Sequence, residues 1–257
     1  MKLQILCMML VLAFGGFACA TKSHPKESAE GMSEKATIQY RFAYDFYTQD
    51  NLIQALGSAL KAVELSPRNP EARNLLGLIY FRQEKYSEAE ASFKKAIELD
   101  PTSSEVYNNL GTLYFAAKRY DEGLATLQKA LDNPLYLYPE RIYNNLGLVQ
   151  SARGKTAEAV AAFSESIKLK SDFYLPYQNL GKLYLDLGQE KQAKGLLESA
   201  VRLCPDCAEP RYRLGTLLLK ENQHAEAVKL FKQGANVDPD GYYGQLCKQA
   251  LPQDRME

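Results

Sequence analysis

The sequence predicts an all-α solenoid built from six copies of one helix hairpin, and three observations support this fold class. A glycine recurs with a nearly constant period, similar small and large residues surround it in each copy, and a proline closes four of the copies. The recurring glycines are Gly77, Gly111, Gly147, Gly181 and Gly215, at successive intervals of 34, 36, 34 and 34. Such a period is typical of stacked helix hairpins that bury their apolar faces against one another.

The small residues mark the places where helices are expected to meet. The glycine of the first helix and an alanine of the second, such as Ala89 or Ala227, allow the two backbones to approach closely. Large residues such as Leu76 and Phe93 are expected to fill the space beside them. A third small position is expected to face the next hairpin, at Ala62, Ala96, Ala130 and Ala200. The closing prolines, which cannot continue a helix, are Pro67, Pro101, Pro205 and Pro239.

This unit resembles the tetratricopeptide repeat, a helix-turn-helix module with a period of about 34 residues. Ala43 precedes Gly77 by one such period in a similar context, so residues 36–241 are expected to hold six repeats. The resemblance implies a right-handed superhelical solenoid, in which the first helix of each repeat lines a concave groove. Residues 242–257 are expected to form a C-terminal capping helix and tail.

The composition argues against an enzyme and against a nucleic-acid-binding protein. Lysine and arginine balance aspartate and glutamate at 31 each, so no net positive field attracts nucleic acid. Neither His24 nor His224 has a nucleophile or a carboxylate placed beside it in the sequence. We therefore expect no catalytic residue, no metal or other cofactor, and no small-molecule substrate.

Residues 1–18 have the pattern of a signal peptide. A nearly continuous apolar run at residues 3–17 follows a short positive start and is too short to span a bilayer. The sequence GFAC at residues 16–19 resembles a bacterial lipobox, so Cys19 is expected to carry a lipid and residues 19–35 to form a flexible tether. The residue after the cysteine is Ala20 and not the aspartate associated with inner-membrane retention. The resemblance therefore points to the periplasmic face of the outer membrane. The alternative is cleavage after Ala20 at an A-x-A site, which would release a soluble periplasmic protein.

A ladder of side-chain amides is expected to line the groove, just before the motif glycine of successive repeats. An amide both donates and accepts hydrogen bonds, so such a row suits the backbone of a bound peptide. Phe81 and Phe115 are expected to add apolar contact. Arg41 and Arg213 are expected to flank the ladder with positive charge. The alternative is that asparagine is simply tolerated at these positions as a polar residue. The ladder residues are Asn74, Asn108, Asn109, Asn144, Asn145, Gln178 and Asn179.

The interval between the third and fourth repeats is longer by two, because of the segment DNPLYLYPER. Its prolines stiffen the chain, and Tyr136 and Tyr138 are expected to form an aromatic partner-binding loop. An equally weighted alternative is a harmless insertion whose tyrosines fold back on the core.

Three cysteines lie in the last quarter of the chain: Cys204, Cys207 and Cys247. The C-x-x-C spacing of the first two is not expected to form a redox site, because no strand pattern accompanies it. A zinc site is not expected either, because zinc normally takes four protein ligands and these cysteines supply only three. We expect a structural disulfide among these three cysteines, and the sequence leaves the pairing open.

The whole layout resembles the type IV pilus pilotins of the Tgl/PilF/PilW family, with a lipobox, a short tether and six repeats. The resemblance includes the junction NPLYLYPE before YNNLGL and the cysteines near the C-terminus. It implies an outer-membrane lipoprotein that binds the pilus secretin, a ring-forming channel protein, and promotes its localisation and multimerisation. The alternative is a periplasmic scaffold for another envelope, secretion or polysaccharide-export complex.

Overall fold

The computed structural model describes residues 32–252, which form thirteen α-helices and no β-strand. These residues divide into two compact units, at residues 32–138 and 139–252. Unit 1 contains α1 (Glu34–Thr48), α2 (Leu52–Leu65), α3 (Pro70–Arg82), α4 (Tyr86–Leu99), α5 (Ser104–Ala116) and α6 (Tyr120–Ala130). Unit 2 contains α7 (Pro139–Ala152), α8 (Thr156–Leu169), α9 (Tyr174–Asp186), α10 (Glu190–Leu203), α11 (Ala208–Lys220), α12 (His224–Val237) and α13 (Tyr242–Ala250).

Each unit contains three consecutive helix hairpins, to which unit 2 adds α13, and the predicted all-α solenoid is confirmed. In unit 1, α2 packs against α3 and α4 packs against α5. In unit 2, α8 packs against α9 and α10 packs against α11. Small residues of the second helices, such as Ala62 and Ala96, are fully buried.

The turn inside each hairpin has the same backbone conformation in all six repeats. The residue seven positions after the motif glycine or alanine has a φ between 59° and 72°, in the left-handed region. This conformation ends the first helix and reverses the chain, so that the second helix packs against the first. Glycine adopts it at little cost, yet four of the six turns have a residue with a side chain there. The six residues are Asp50, Glu84, Lys118, Gly154, Gly188 and Asn222.

The two helices of each hairpin meet at a pair of residues 16 positions apart. A Cβ atom added to Gly77 would lie 2.6 Å from the ring of Phe93, so only glycine leaves room for that ring. The first repeat instead has Ala43 and Ala59, which are both buried. Here the first helix has alanine in place of glycine, and the second helix has alanine in place of the larger side chain. The remaining pairs are Gly111 with Leu127, Gly147 with Phe163, Gly181 with Leu197, and Gly215 with Phe231.

The two ends of the described repeats differ. At the C-terminal end, α13 packs against α11 and α12, and its Tyr243 and Cys247 are buried. At the N-terminal end, Ile38 and Phe42 of α1 are 44% and 49% exposed. The C-terminal repeat is therefore capped, whereas α1 has an apolar face that no described helix covers.

No helix within residues 32–252 is long and apolar enough to cross a membrane. The predicted signal peptide, Cys19 and residues 19–31 of the predicted tether lie outside the described residues. The first described helix, α1, begins at Glu34 because the Ser33 hydroxyl accepts a hydrogen bond from the Ala36 N–H at 3.3 Å and caps it.

Candidate protein-binding surfaces

The amides of the ladder are hydrogen-bonded to one another across adjacent repeats. In unit 1, the Asn109 Nδ2 donates to the Asn74 Oδ1 at 3.0 Å. In unit 2, the Asn179 Nδ2 donates to the Asn144 Oδ1 at 2.9 Å. The two bonds have the same sequence separation, so the same rung occurs once in each unit. Each rung fixes one first helix relative to the next.

Part of the ladder is buried, which limits how much of it a partner can contact. Asn109, Asn144 and Gln178 are 8%, 4% and 6% exposed. A carboxamide has two N–H donors and an oxygen that accepts two hydrogen bonds, so one rung uses only part of the capacity of each side chain. Four ladder residues are half-buried and remain within reach of a partner: Asn74, Asn108, Asn145 and Asn179.

The predicted apolar and charged neighbours of the ladder are not equally accessible. Phe81 is only 4% exposed, because it packs in the core around Phe93, so it is not part of a binding surface. Phe115 is half-buried, with its ring centroid 6.1 Å from that of Tyr120. Arg41 is exposed on α1.

Arg213 has its interactions within unit 2, toward the capping helix α13. Its guanidinium pairs with the Glu209 carboxylate at 2.7 Å and donates to the Tyr243 hydroxyl at 2.7 Å. The Tyr243 hydroxyl in turn donates to Glu209 at 3.0 Å. Burial, together with the Glu209 carboxylate, raises the pKa of Tyr243. This triad joins α11 to α13, a role that the spacing of the repeats did not indicate.

A pocket of about 290 Å³ opens beside Asn74, between the N-terminal ends of α3 and α5. Three carboxylates line it, from Glu71, Asp100 and Glu105. Burial raises the pKa of Glu71, and the two other carboxylates raise it further. This concentration of negative charge disfavours a partner that presents its terminal carboxylate here.

The loop between the third and fourth repeats exposes leucines rather than tyrosines. Leu135 and Leu137 are 84% and 78% exposed. Tyr136 and Tyr138 are half-buried and pack edge to face, with ring centroids 5.9 Å apart. The Asn133 amide donates to the carbonyl of the turn before α5 at 3.2 Å and so fixes the loop within unit 1.

The structure joins Cys204 to Cys207 by a disulfide and leaves Cys247 as a free, buried thiol. The guanidinium of the buried Arg211 donates to the carbonyl oxygens of Cys204 and Cys207, at 3.2 and 2.6 Å. Burial raises the pKa of Cys247 to about 11. A Cβ on Gly234 would meet the Cys247 sulfur, so this glycine makes room for α13. Nothing in the repeat pattern indicated that Arg211 would be buried.

Within residues 32–252, no group of three or more histidine, cysteine, aspartate or glutamate side chains could hold a metal ion. The buried polar groups described above bind one another and maintain the packing of repeats.

Four family models of this repeat match the sequence. One, described as TPR repeat, matches residues 77–118, and three, described as tetratricopeptide repeat, match residues 58–91, 102–172 and 191–250. The chain is a tetratricopeptide-repeat protein. A search of curated protein sequences found no match.

Solved tetratricopeptide structures are similar to this protein over most of its length. PilW, described as a widely conserved type IV pilus biogenesis factor, has a TM-score of 0.71 and 22% identity, over 83% of this chain and 98% of PilW. PilF of Pseudomonas aeruginosa has a TM-score of 0.68 and 21% identity, over 84% of this chain and 97% of PilF. A chain of the APC/C hetero-tetramer Cut9-Hcn1 has a TM-score of 0.71 and 17% identity, over 88% of this chain and 45% of its own length. At these identities the likeness shows a shared fold, and that fold occurs in more than one kind of assembly.

Proposed function

We propose that this protein is an outer-membrane lipoprotein that binds the type IV pilus secretin and promotes its outer-membrane localisation and multimerisation. The observation that supports this proposal is the nearly end-to-end match to PilW and PilF, which covers 98% and 97% of those chains. The lipobox-like sequence at residues 16–19 supplies a means of attachment to the membrane. The role is one of binding and positioning, without catalysis.

The partner-binding surface in this proposal consists of the accessible part of the ladder and the loop. In unit 1, Asn108 and Phe115 offer an amide and an aromatic ring on the same helix. In unit 2, Asn145 and Asn179 offer two further amides. Amides of this kind bind the backbone of an extended or helical segment regardless of its side chains. The exposed leucines of the loop add apolar contact, and the acidic pocket beside the ladder disfavours a carboxylate terminus.

Membrane attachment gives this binding its effect. A lipid on Cys19 would hold the repeats at the inner surface of the outer membrane, so each bound secretin segment would share that surface with others. Tethering raises the effective concentration of the bound segments and favours ring assembly over aggregation. A single acyl chain gives only marginal membrane binding, so stable attachment requires more than one chain.

An immunoblot of unboiled cell extracts for the secretin tests this proposal. Cells that lack the protein, and cells that carry Cys19→Ala, are expected to lose heat-resistant secretin rings. The double variant Leu135→Ser/Leu137→Ser is expected to reduce the rings at an unchanged level of the protein. Ile53→Ser is the matched control, because Ile53 of α2 is equally exposed, at 84%.

The remaining outcomes separate the alternatives. Normal rings in cells that lack the protein would overturn the secretin role and favour a scaffold for another envelope complex. Normal rings with Cys19→Ala alone would keep the secretin role but assign it to a soluble periplasmic protein.

A further inference from the structure

Four exposed residues form a stripe along the outer face of α1. At about 100° per residue, Lys35, Ile38, Phe42 and Asp45 fall within a sector of about 80° of the helix surface. The stripe has an apolar centre, with a positive charge at its N-terminal end and a negative charge at its C-terminal end. Its two charged residues are ten positions apart, or about 15 Å along the helix axis.

The apolar positions of this stripe are buried elsewhere in the same unit. Phe42 corresponds to Leu76 and Leu110, one and two repeat periods later, and each of these leucines is only 4% exposed. They are buried because α2 packs against α3 and α4 packs against α5. No helix among residues 32–252 precedes α1, so the residues that normally contact the preceding hairpin are left uncovered. A helix is the type of element that this face is shaped to contact.

The order of residues in the stripe is complementary to itself. If a second copy of α1 lies antiparallel to the first, with the two-fold axis at residue 40, Ile38 of one copy lies opposite Phe42 of the other. The same axis places Lys35 opposite Asp45. Both pairs are centred on one residue, so apolar contact and charge pairing are satisfied by a single arrangement. A two-fold interface requires this kind of self-complementarity.

We propose that α1 is a homodimerisation surface, on which a second copy of this chain takes the position that a preceding hairpin occupies in later repeats. The two helices pack antiparallel, with Ile38 and Phe42 at the centre and a Lys35–Asp45 pair at each end. The opposite charges at the ends favour this occupant over a bilayer surface, which would receive an apolar stripe without an acidic end. The proposal does not depend on secretin binding.

Sedimentation equilibrium of the full chain in density-matched detergent tests this arrangement. Lys35→Asp places two aspartates together at each end of the interface, and Asp45→Lys places two lysines there. We expect each single variant to raise the dimer dissociation constant about tenfold, since each introduces two like-charge contacts. The double variant Lys35→Asp/Asp45→Lys restores both pairs with reversed sign and is expected to return to within about threefold of the original.

Two controls keep the interpretation specific. Lys168→Asp in unit 2 makes the same change in net charge on an exposed side chain and is expected to leave the dimer unchanged. Phe42→Ser is expected to abolish dimerisation while the helical circular dichroism is retained.

A dissociation constant that is equal in all charge variants would overturn the proposal, as would a protein that is monomeric at every concentration. Dimers that appear only after deletion of residues 20–31 would assign the stripe to the chain's own tether instead.

Discussion

The first and last repeats place the same position of the repeat in opposite surroundings. Phe42 of the first repeat and Leu214 of the last occupy equivalent places in their first helices, yet Phe42 is 49% exposed and Leu214 is 5% exposed. Leu214 is buried because α10 of the preceding repeat packs against α11, whereas no described helix precedes α1. A repeat buries its apolar face only against a neighbour, so the contribution of a residue to stability depends on whether a neighbouring hairpin covers it.

Truncation of the two equivalent residues should give the largest contrast between the ends. We expect Leu214→Ala to lower the free energy of unfolding by about 2–5 kcal/mol, because it leaves a cavity in a packed core. Phe42→Ala should cost about 1 kcal/mol, because half of its ring is already in water. Urea unfolding monitored by circular dichroism measures both. Equal losses would mean that α1 is covered in solution.

The glycine pairs provide a second contrast, of intermediate size. Gly215→Ala would bring a Cβ to within 2.6 Å of the Phe231 ring, so we expect a loss of about 1–3 kcal/mol from overpacking. Adding Phe231→Ala recreates the Ala43–Ala59 pair of the first repeat. The double variant should therefore lose less than the sum of the two single losses, and simple additivity of the unfolding free energies would contradict the proposed fit.

The smallest effect is expected at the hydrogen bonds of the cap. Tyr243→Phe removes the hydroxyl that joins Arg213 and Glu209, which should weaken the cap by about 1 kcal/mol. At pH 8 the Cys247 thiol is buried and protonated, so alkylation requires the cap to open. We expect Tyr243→Phe to speed alkylation of Cys247 about fivefold, measured by mass spectrometry of the peptide that carries it.

Tyr242→Phe is the control for this measurement, because Tyr242 lies next to Tyr243 but is 37% exposed. An equal acceleration by both variants would show that the hydroxyl triad does not hold the cap closed.

The fold could be predicted from the sequence because its determinants are local and repeated. A glycine and a ring 16 positions apart, such as Gly77 and Phe93, recur often enough to show the hairpin and its packing. The four matching family models agree with that prediction. The period also places the ladder residues on the first helices of successive repeats.

The details of the candidate surfaces could not be predicted, because they depend on contacts between residues distant in sequence. The pattern shows where Asn109 lies but not that Asn74 already accepts one of its hydrogen bonds. It likewise does not show that Phe81 turns into the core or that Arg213 contacts a tyrosine in the capping helix. An amide, a ring or a guanidinium can either contact a partner or stabilise the fold. Only the three-dimensional packing shows which of the two roles each side chain has.

The residue pairs 16 positions apart have a consequence for how such a chain can change during evolution. Both members of each pair lie within one hairpin, so a gene duplication that copies a whole repeat also copies a matched pair of shapes. An exchange of single helices would instead place a ring such as that of Phe93 against the methyl group of Ala43. Whole repeats are therefore the segments that recombination can exchange with little loss of stability, and the turns between repeats are where such junctions succeed.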